Sequence, residues 1–244
     1  TVLSRGLGDV YKRQDLAIIN NCLIDQTTDA MSEEMLEEGS NVFKNWAKTS
    51  ETPKFAFLET PAWPEADIGA KNAIETAITS LSSACQRERL PDPFSKIIDY
   101  HATVFAAENS HYYGPFLDNH SELLSEKLRD RLIVSKTTLA REYIAALNAR
   151  DKIYHSLEAL LDDYDAVLCL AATGAAPIGF ETTGSAIFNG LWTYLGVPCL
   201  SLPLLTTEKM PLGLQLVGKR GDERKLFELS LIHISEAHET RPYL

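Results

Sequence analysis

The sequence predicts an α/β protein, on three observations. Ala166-Val-Leu-Cys-Leu170 is an unbroken apolar run entered from the acidic turn Asp162-Asp-Tyr-Asp165, the pattern of a strand covered on both faces. Immediately before it, Leu139, Tyr143, Leu147, Ile153, Leu157 and Leu160 form one face of a long helix, with Arg141, Glu142, Arg150 and Asp151 outside it. After it, Cys199–Leu202 and Gly213–Val217 read as two short apolar strands flanking a proline-rich bend.

The remaining elements follow in chain order. Asp15 to Ile24 reads as a short apolar helix, and Asp29 to Lys48 as a longer acidic one with Met31, Met35, Val42, Phe43 and Trp46 as its apolar positions. Lys54-Phe-Ala-Phe-Leu58 is a strand candidate and Pro61-Ala-Trp-Pro64 a loop. Ala66 to Ala84 is helical, since Ile68, Ala73, Ile74, Ala77, Ile78 and Leu81 recur at helix spacing. Between Gln86 and Pro93, charge and prolines predict a break without regular structure. Phe94 to Leu161 is almost wholly helical, with Ser110-His-Tyr-Tyr-Gly-Pro115 an aromatic loop within it. Gly184 opens a short apolar helix, Gly196 ends it as a left-handed cap, Gly218 leaves a strand, and Asp222 stands at a helix N-cap ahead of Leu226 and Leu229. Internal repeats and low-complexity segments are absent from the pattern.

Composition narrows the function classes. With 244 residues, 45% of them hydrophobic, the chain can bury one sizeable core. A formal net charge of −11 without a compensating Lys/Arg run disfavours nucleic acid as a partner. Cys22, Cys85, Cys169 and Cys199 are widely spaced, and two fall in predicted buried strands, so they read as small apolar side chains in a reducing compartment. No apolar run approaches the roughly 20 residues needed to span a bilayer; the expectation is a cytoplasmic protein with no membrane partner.

Both ends look foreign to the rest. Residues 1–14 and 231–244 lack helix or strand periodicity and resemble translated sequencing-adapter sequence found at the edges of assembled metagenomic reads. The expected organisation is therefore a non-native leader (1–14), one domain portion (15–230) and a non-native tail (231–244).

Candidate chemical groups divide on their settings. Ser82-Ser83 ends an amphipathic helix without glycine, where no strained loop or oxyanion hole is expected. His101, His111 and His120 lie too far apart for one helix face to hold a metal, so no metal site is predicted. Cys169, inside an apolar strand, reads as an inert thiol. Glu33-Glu34 and Glu37-Glu38 form a solvated helix face.

Gly184-Ser-Ala-Ile-Phe-Asn-Gly-Leu-Trp-Thr-Tyr-Leu-Gly-Val-Pro198, Ser201-Leu-Pro203 and Pro211-Leu-Gly-Leu-Gln-Leu-Val-Gly218 together resemble the C-terminal part of amidase signature enzymes. Asp15-Leu-Ala-Ile-Ile-Asn and Lys54-Phe-Ala-Phe-Leu-Glu-Thr-Pro-Ala-Trp add weaker matches upstream, while Leu170 stands where many members carry proline. The resemblance implies the C-terminal part of an α/β/α fold on a mixed central sheet, incomplete in this chain. It implies hydrolysis of a carboxamide to carboxylate plus ammonia or amine. In the family a neutral lysine acts through a bridging serine to activate a serine nucleophile, and glycine-rich backbone holds the oxyanion. The lysine and the Gly-Gly-Ser-Ser-Gly type loop have no matching position here, so no catalytic residue and no cofactor is assigned, and the chain alone is expected to be inactive. Thr183, Gly184, Ile187 and Phe188 are the expected substrate contacts; core packing is the competing role for Ile187, Phe188 and Trp192. The implied partner is a small-molecule amide in a full-length parent, and a homodimer is left open. Two other functions remain: a non-catalytic binding or assembly module on the same scaffold, and the A subunit of a tRNA-dependent amidotransferase, whose helical middle region looks different.

Overall fold

In the computed structural model, residues 52–230 are described; the two helices expected before Lys48 lie outside them. Five strands form one mixed sheet in the order β2-β1-β3-β5-β4. Strands β1 (Phe55–Leu58), β2 (Cys85–Glu88) and β3 (Ala166–Leu170) run parallel, whereas β5 (Met210–Val217) is antiparallel to both β3 and β4 (Cys199–Thr207). Every residue of β1 and β3 is buried. That is why both are written as continuous apolar runs: with both faces of each strand covered, no position is left for an alternating polar residue.

Helix α1 (Ile68–Leu81) links β1 to β2. It starts where the Asp67 carboxylate accepts the Ala70 N–H at 2.6 Å, an N-cap that satisfies one of the free first-turn donors. Its buried contacts are Ala70 and Ile74, while Ile68 is left exposed at the first turn.

The helical layer is α2 (Ile97–Asn119), α3 (Glu126–Ser135) and α4 (Ala140–Leu160), and α2 packs against both others. Ser125 caps α3 through the Leu128 N–H, and the Glu142 carboxylate reaches back to the Leu139 N–H at the start of α4. On α4 the buried residues are Ala146, Ile153, Tyr154 and Leu157, close to the predicted face, with Leu139 exposed at its N-cap. Helix α5 (Ile187–Leu195) packs on α2 and α4, and a last helix covers 223–230.

One apolar core joins these layers. Phe55, Phe57, Phe94, Phe188 and Trp192 are its largest fully buried side chains; each contributes roughly 1.5–3 kcal/mol relative to exposure. Phe94 meets Trp192 edge-on, at 6.3 Å between ring centroids.

Four local expectations are corrected. The polar break after Ala84 contains β2, which stands at the end of the strand order among the described residues: only Cys85 is buried, so Gln86 and Arg87 can be polar while the backbone pairs with β1. The segment Ser110–Pro115 is not a loop but part of α2, which runs through Pro115 near its C-terminal end, where the lost hydrogen bond costs least. The proline-rich bend is a tight hairpin turn at Glu208-Lys209. Pro203 lies within β4 at a register irregularity between Leu202 and Leu205, in a strand at the end of the described order, where a missing donor is tolerated. Cys199, expected to be buried, is exposed at the start of that strand.

Candidate functional site

The parallel strand β3 ends at Leu170 and delivers the chain into residues 171–186, which lead to α5. In α/β sheets the space beyond the carboxyl ends of the strands is where ligands bind. Three sets of contacts fix the start of this segment. The Ala171 N–H donates to the Gly213 carbonyl (3.1 Å), extending the β3–β5 ladder by one residue. Asn189 Nδ2 donates to the Ala171 carbonyl (3.2 Å), and its Oδ1 accepts from Gln215 Nε2 (2.9 Å). The Gln215 Oε1 in turn accepts from the buried Cys169 thiol at 3.5 Å. A third contact comes from α1: the Asp67 N–H donates to the Thr173 carbonyl (2.8 Å), and the Asp67 carboxylate lies where a Cβ on Gly174 would be, so only glycine fits there.

Beyond this clamp the segment is open. Residues 177–186 are exposed, with Ile178 and Phe180 fully so. Gly184 has φ +89°, a region in which a side chain is strained. Its N–H donates to the Thr182 hydroxyl (3.1 Å), and the Ser185 hydroxyl accepts the Ile187 N–H (3.3 Å) as α5 begins. Helix α5 closes at Gly196 (φ +63°), and the Arg220 guanidinium donates twice to the Leu195 carbonyl (3.0 and 2.7 Å) at the negative end of the helix. Its plane also covers the Tyr154 ring at 3.9 Å.

The four residues expected at the pocket thus lie close in sequence but are differently placed. Thr183 and Gly184 are exposed on the loop, Ile187 is half-buried against the core, and Phe188 is fully buried within it beside Trp192. Asn189, Gln215 and Asp67 are the positioning groups that sequence reading did not single out. Gln215 had a signal, as the one polar side chain in the run Leu212-Gly-Leu-Gln-Leu-Val217. Asn189 had a weaker one, a poor helix former inside an apolar helix.

Other chemically suggestive groups are held elsewhere. Ser82 and Ser83 are exposed after α1, and Ser82 has φ +50°, so the backbone there is strained despite the absence of glycine. Burial pushes the Cys169 thiol pKa up, away from the reactive thiolate. Among the described residues, no group of three or more His, Cys, Asp or Glu side chains is placed to hold a metal ion. At the opposite, N-terminal ends of β1 and β3, a cleft of about 580 Å³ is bordered by Lys54, Asp162, Tyr164, Asp165, Lys219 and Lys225. Its charges are mutually engaged: Lys219 with Asp162 at 2.6 Å, Lys225 with Asp165 at 3.0 Å. Burial works against the Asp165 carboxylate, but the Lys54 N–H and the Lys225 ammonium outweigh it and hold its pKa below the ordinary value.

The amidase family model matches residues 12–227. This chain belongs to the amidase signature family. The A subunit of glutamyl-tRNA(Gln) amidotransferase from Clostridium botulinum is 28% identical over 148 residues, covering 53% of this chain and 30% of the relative. The Methanococcoides burtonii protein of the same name is 21% identical over 214 residues, covering 72% and 44%. An amidase crystal structure matches with a TM-score of 0.67 at 22% identity, over 78% of this chain and 46% of that one. The structure of 6-aminohexanoate cyclic dimer hydrolase matches with a TM-score of 0.65 at 14% identity, over 92% and 53%. The chain thus spans about half the length of these solved structures and 30% of the Clostridium relative, and its mixed sheet is part of the amidase signature fold. No helix among the described residues is long and apolar enough to cross a membrane.

Proposed function

We propose that this chain is the C-terminal portion of an amidase that hydrolyses a carboxamide to a carboxylate and ammonia or an amine. The observation carrying this reading is the family match over residues 12–227 in a chain that spans only about half of the solved relatives. Its role is to supply part of the sheet, the helical layer and one wall of the substrate pocket. Thr183 and Gly184 form the exposed lip of that wall, Ile187 its apolar shoulder, and Phe188 supports it from beneath. The clamp of Asn189 and Asp67 on residues 171–174 supports this reading, because it anchors the base of the segment that bears Thr183 and Gly184. The same reading takes residues 15–230 as the native domain portion and 1–14 and 231–244 as foreign to it, in a cytoplasmic parent.

The serine nucleophile, bridging serine, lysine and oxyanion hole of the family are assigned to sequence outside this chain. The purified 244-residue chain is therefore expected to release no ammonia or amine from simple aryl or alkyl amides; turnover of either class would sink the assignment. Recovering the source DNA upstream of the Asp15 codon should give a reading frame encoding a lysine and a Gly-Gly-Ser-Ser-Gly type loop. A start codon there, without either, would instead favour the binding or assembly module.

A second reading is the A subunit of a tRNA-dependent amidotransferase, favoured by the names of the curated relatives at 28% identity. The two part experimentally in the complete protein: the amidase reading expects hydrolysis of simple amides with no other polypeptide present, whereas the amidotransferase reading expects ammonia transfer that needs a partner polypeptide.

A further inference from the structure

Strand β3 is apolar except for the thiol of Cys169, and that thiol has a partner. In the β3–β5 register Cys169 stands directly opposite Gln215, so both side chains leave the sheet on the same face. A protein interior disfavours glutamine unless its oxygen and its nitrogen are both engaged, and at 4% exposure Gln215 cannot turn to solvent for partners. Its Oε1 accepts from Cys169 Sγ (3.5 Å) and its Nε2 donates to Asn189 Oδ1 (2.9 Å), while Asn189 Nδ2 donates to the Ala171 carbonyl (3.2 Å).

These groups connect in only one sense. A backbone carbonyl only accepts, so Ala171 requires the Nδ2 side of Asn189; Asn189 Oδ1 then requires the Nε2 side of Gln215, and Gln215 Oε1 requires a donor on Cys169. The relay must therefore end in an S–H, and neither an apolar side chain of similar size nor a thiolate meets that demand. Burial keeps the thiol protonated by pushing its pKa up; the Trp192 indole N–H lies near enough to the sulfur to oppose that shift in part, without making a full hydrogen bond. At the other end Ala171 sits directly on the β5 backbone, since a Cβ on Gly213 would lie 2.8 Å from the Ala171 Cβ, and a rotated Asn189 amide would turn an acceptor toward the Ala171 carbonyl. We propose that Cys169 is a positioning residue whose S–H, acting through Gln215 and Asn189, fixes Ala171 at the start of the 171–186 segment. Its bearing on substrate rests on the reading of that segment as a pocket wall, whereas the relay itself does not.

Amide exchange at Ala171, resolved by NMR in the 244-residue chain, tests it. Leu168 reports opening of the whole sheet, and Asp67, which donates to the Thr173 carbonyl, reports the separate α1 clamp. Cys169→Ala and Cys169→Val should speed exchange at Ala171 by roughly tenfold relative to Leu168, because Gln215 Oε1 is left without a donor. Cys169→Ser keeps a donor and should stay close to the native rate. Should these substitutions loosen the core, the infrared S–H stretching band gives a second measurement. Assigned by its loss in Cys169→Ser, it should lie at the lowered frequency of a hydrogen-bonded thiol and rise in Gln215→Met. Equal exchange in Cys169→Ser and Cys169→Ala, a change at Ala171 matched at Leu168, or an S–H band unmoved by Gln215→Met would overturn the proposal. In the complete protein Cys169→Ala should raise KM with kcat retained, and Cys169→Ser should not. An unchanged KM alongside faster Ala171 exchange would overturn the pocket wall at residues 183–188 and leave the relay standing.

Discussion

At Gly190, α5 approaches α2 so closely that a Cβ would lie 2.6 Å from Cε1 and 2.7 Å from Nδ1 of His101. Alanine favours a helix over glycine by about 1 kcal/mol, but forcing a methyl group into a filled site costs typically about 1–3 kcal/mol. The His101 ring also lies against Phe105, at 5.8 Å between centroids, so moving away from a new methyl group disturbs that contact. Gly190→Ala should therefore lose about 1 kcal/mol net in urea unfolding, and adding His101→Ala should recover most of the loss. His101 also gives a pH signature. Burial lowers its pKa from the ordinary 6.5, so as pH falls the unfolded chain takes up the proton before the folded one. The stability tied to neutral His101 is fully present above about pH 6.5. It declines below that value and levels off once the folded pKa is passed. Tm measured at steps from neutral to pH 5 should fall more steeply in the native chain than in His101→Leu, and parallel curves would show that His101 does not titrate on unfolding.

The β4–β5 hairpin shows how an element can be legible while its joint is not. Glu208 and Lys209 have φ of +52° and +64° between the paired Thr207 and Met210, the signs a two-residue turn of the mirror-image type requires. Neither residue favours that region, which costs a residue with a Cβ roughly 1–2 kcal/mol. Asn-Gly at 208–209 should raise stability by about 1 kcal/mol in thermal or urea unfolding, whereas Glu208→Val should lower it. No local residue signalled the turn, because glutamate and lysine are chosen here by the strand register and not by their own preference. The strand β2 was hidden for a related reason: among the described residues Cys-Gln-Arg-Glu pairs on one side only, and the Arg87 guanidinium that lies over Phe57 also holds Glu75. In α2, the aromatic and proline residues obscured a helix whose continuity is set by tertiary contacts with α3 and α4.

Across the whole molecule, what the sequence disclosed best is what two-sided burial demands. Phe55–Leu58 and Ala166–Leu170 are apolar at every position because both faces are buried, and that signal is local and strong. The site was half legible: the loop and α5 stood out through Gly184, Gly196 and the apolar residues between them, but the clamp joins Asp67, Ala171, Asn189 and Gln215 across long stretches of chain, and no spacing rule reaches that far. The same topology sets a gradient of local stability. β1, β3 and β5 each have hydrogen-bonded neighbours on both sides, and the first two are buried throughout, whereas β2 and β4 lie at the ends of the described strand order. An amide exchanges when its hydrogen bond opens and water enters, so central, doubly covered strands should open only with the whole fold. Hydrogen–deuterium exchange read by mass spectrometry should therefore give the slowest peptides at 55–58, 166–170 and 212–217, intermediate rates at 85–88 and 199–207, and rapid exchange over 176–186. If 176–186 exchanged as slowly as β3, the clamp at Ala171 and Thr173 would extend rigidly through the loop that bears Thr183 and Gly184. If it exchanges fast while 171–174 stays protected, the loop is anchored at its base and adaptable at its tip, which is the arrangement the hydrogen bonds of Asn189 and Asp67 describe.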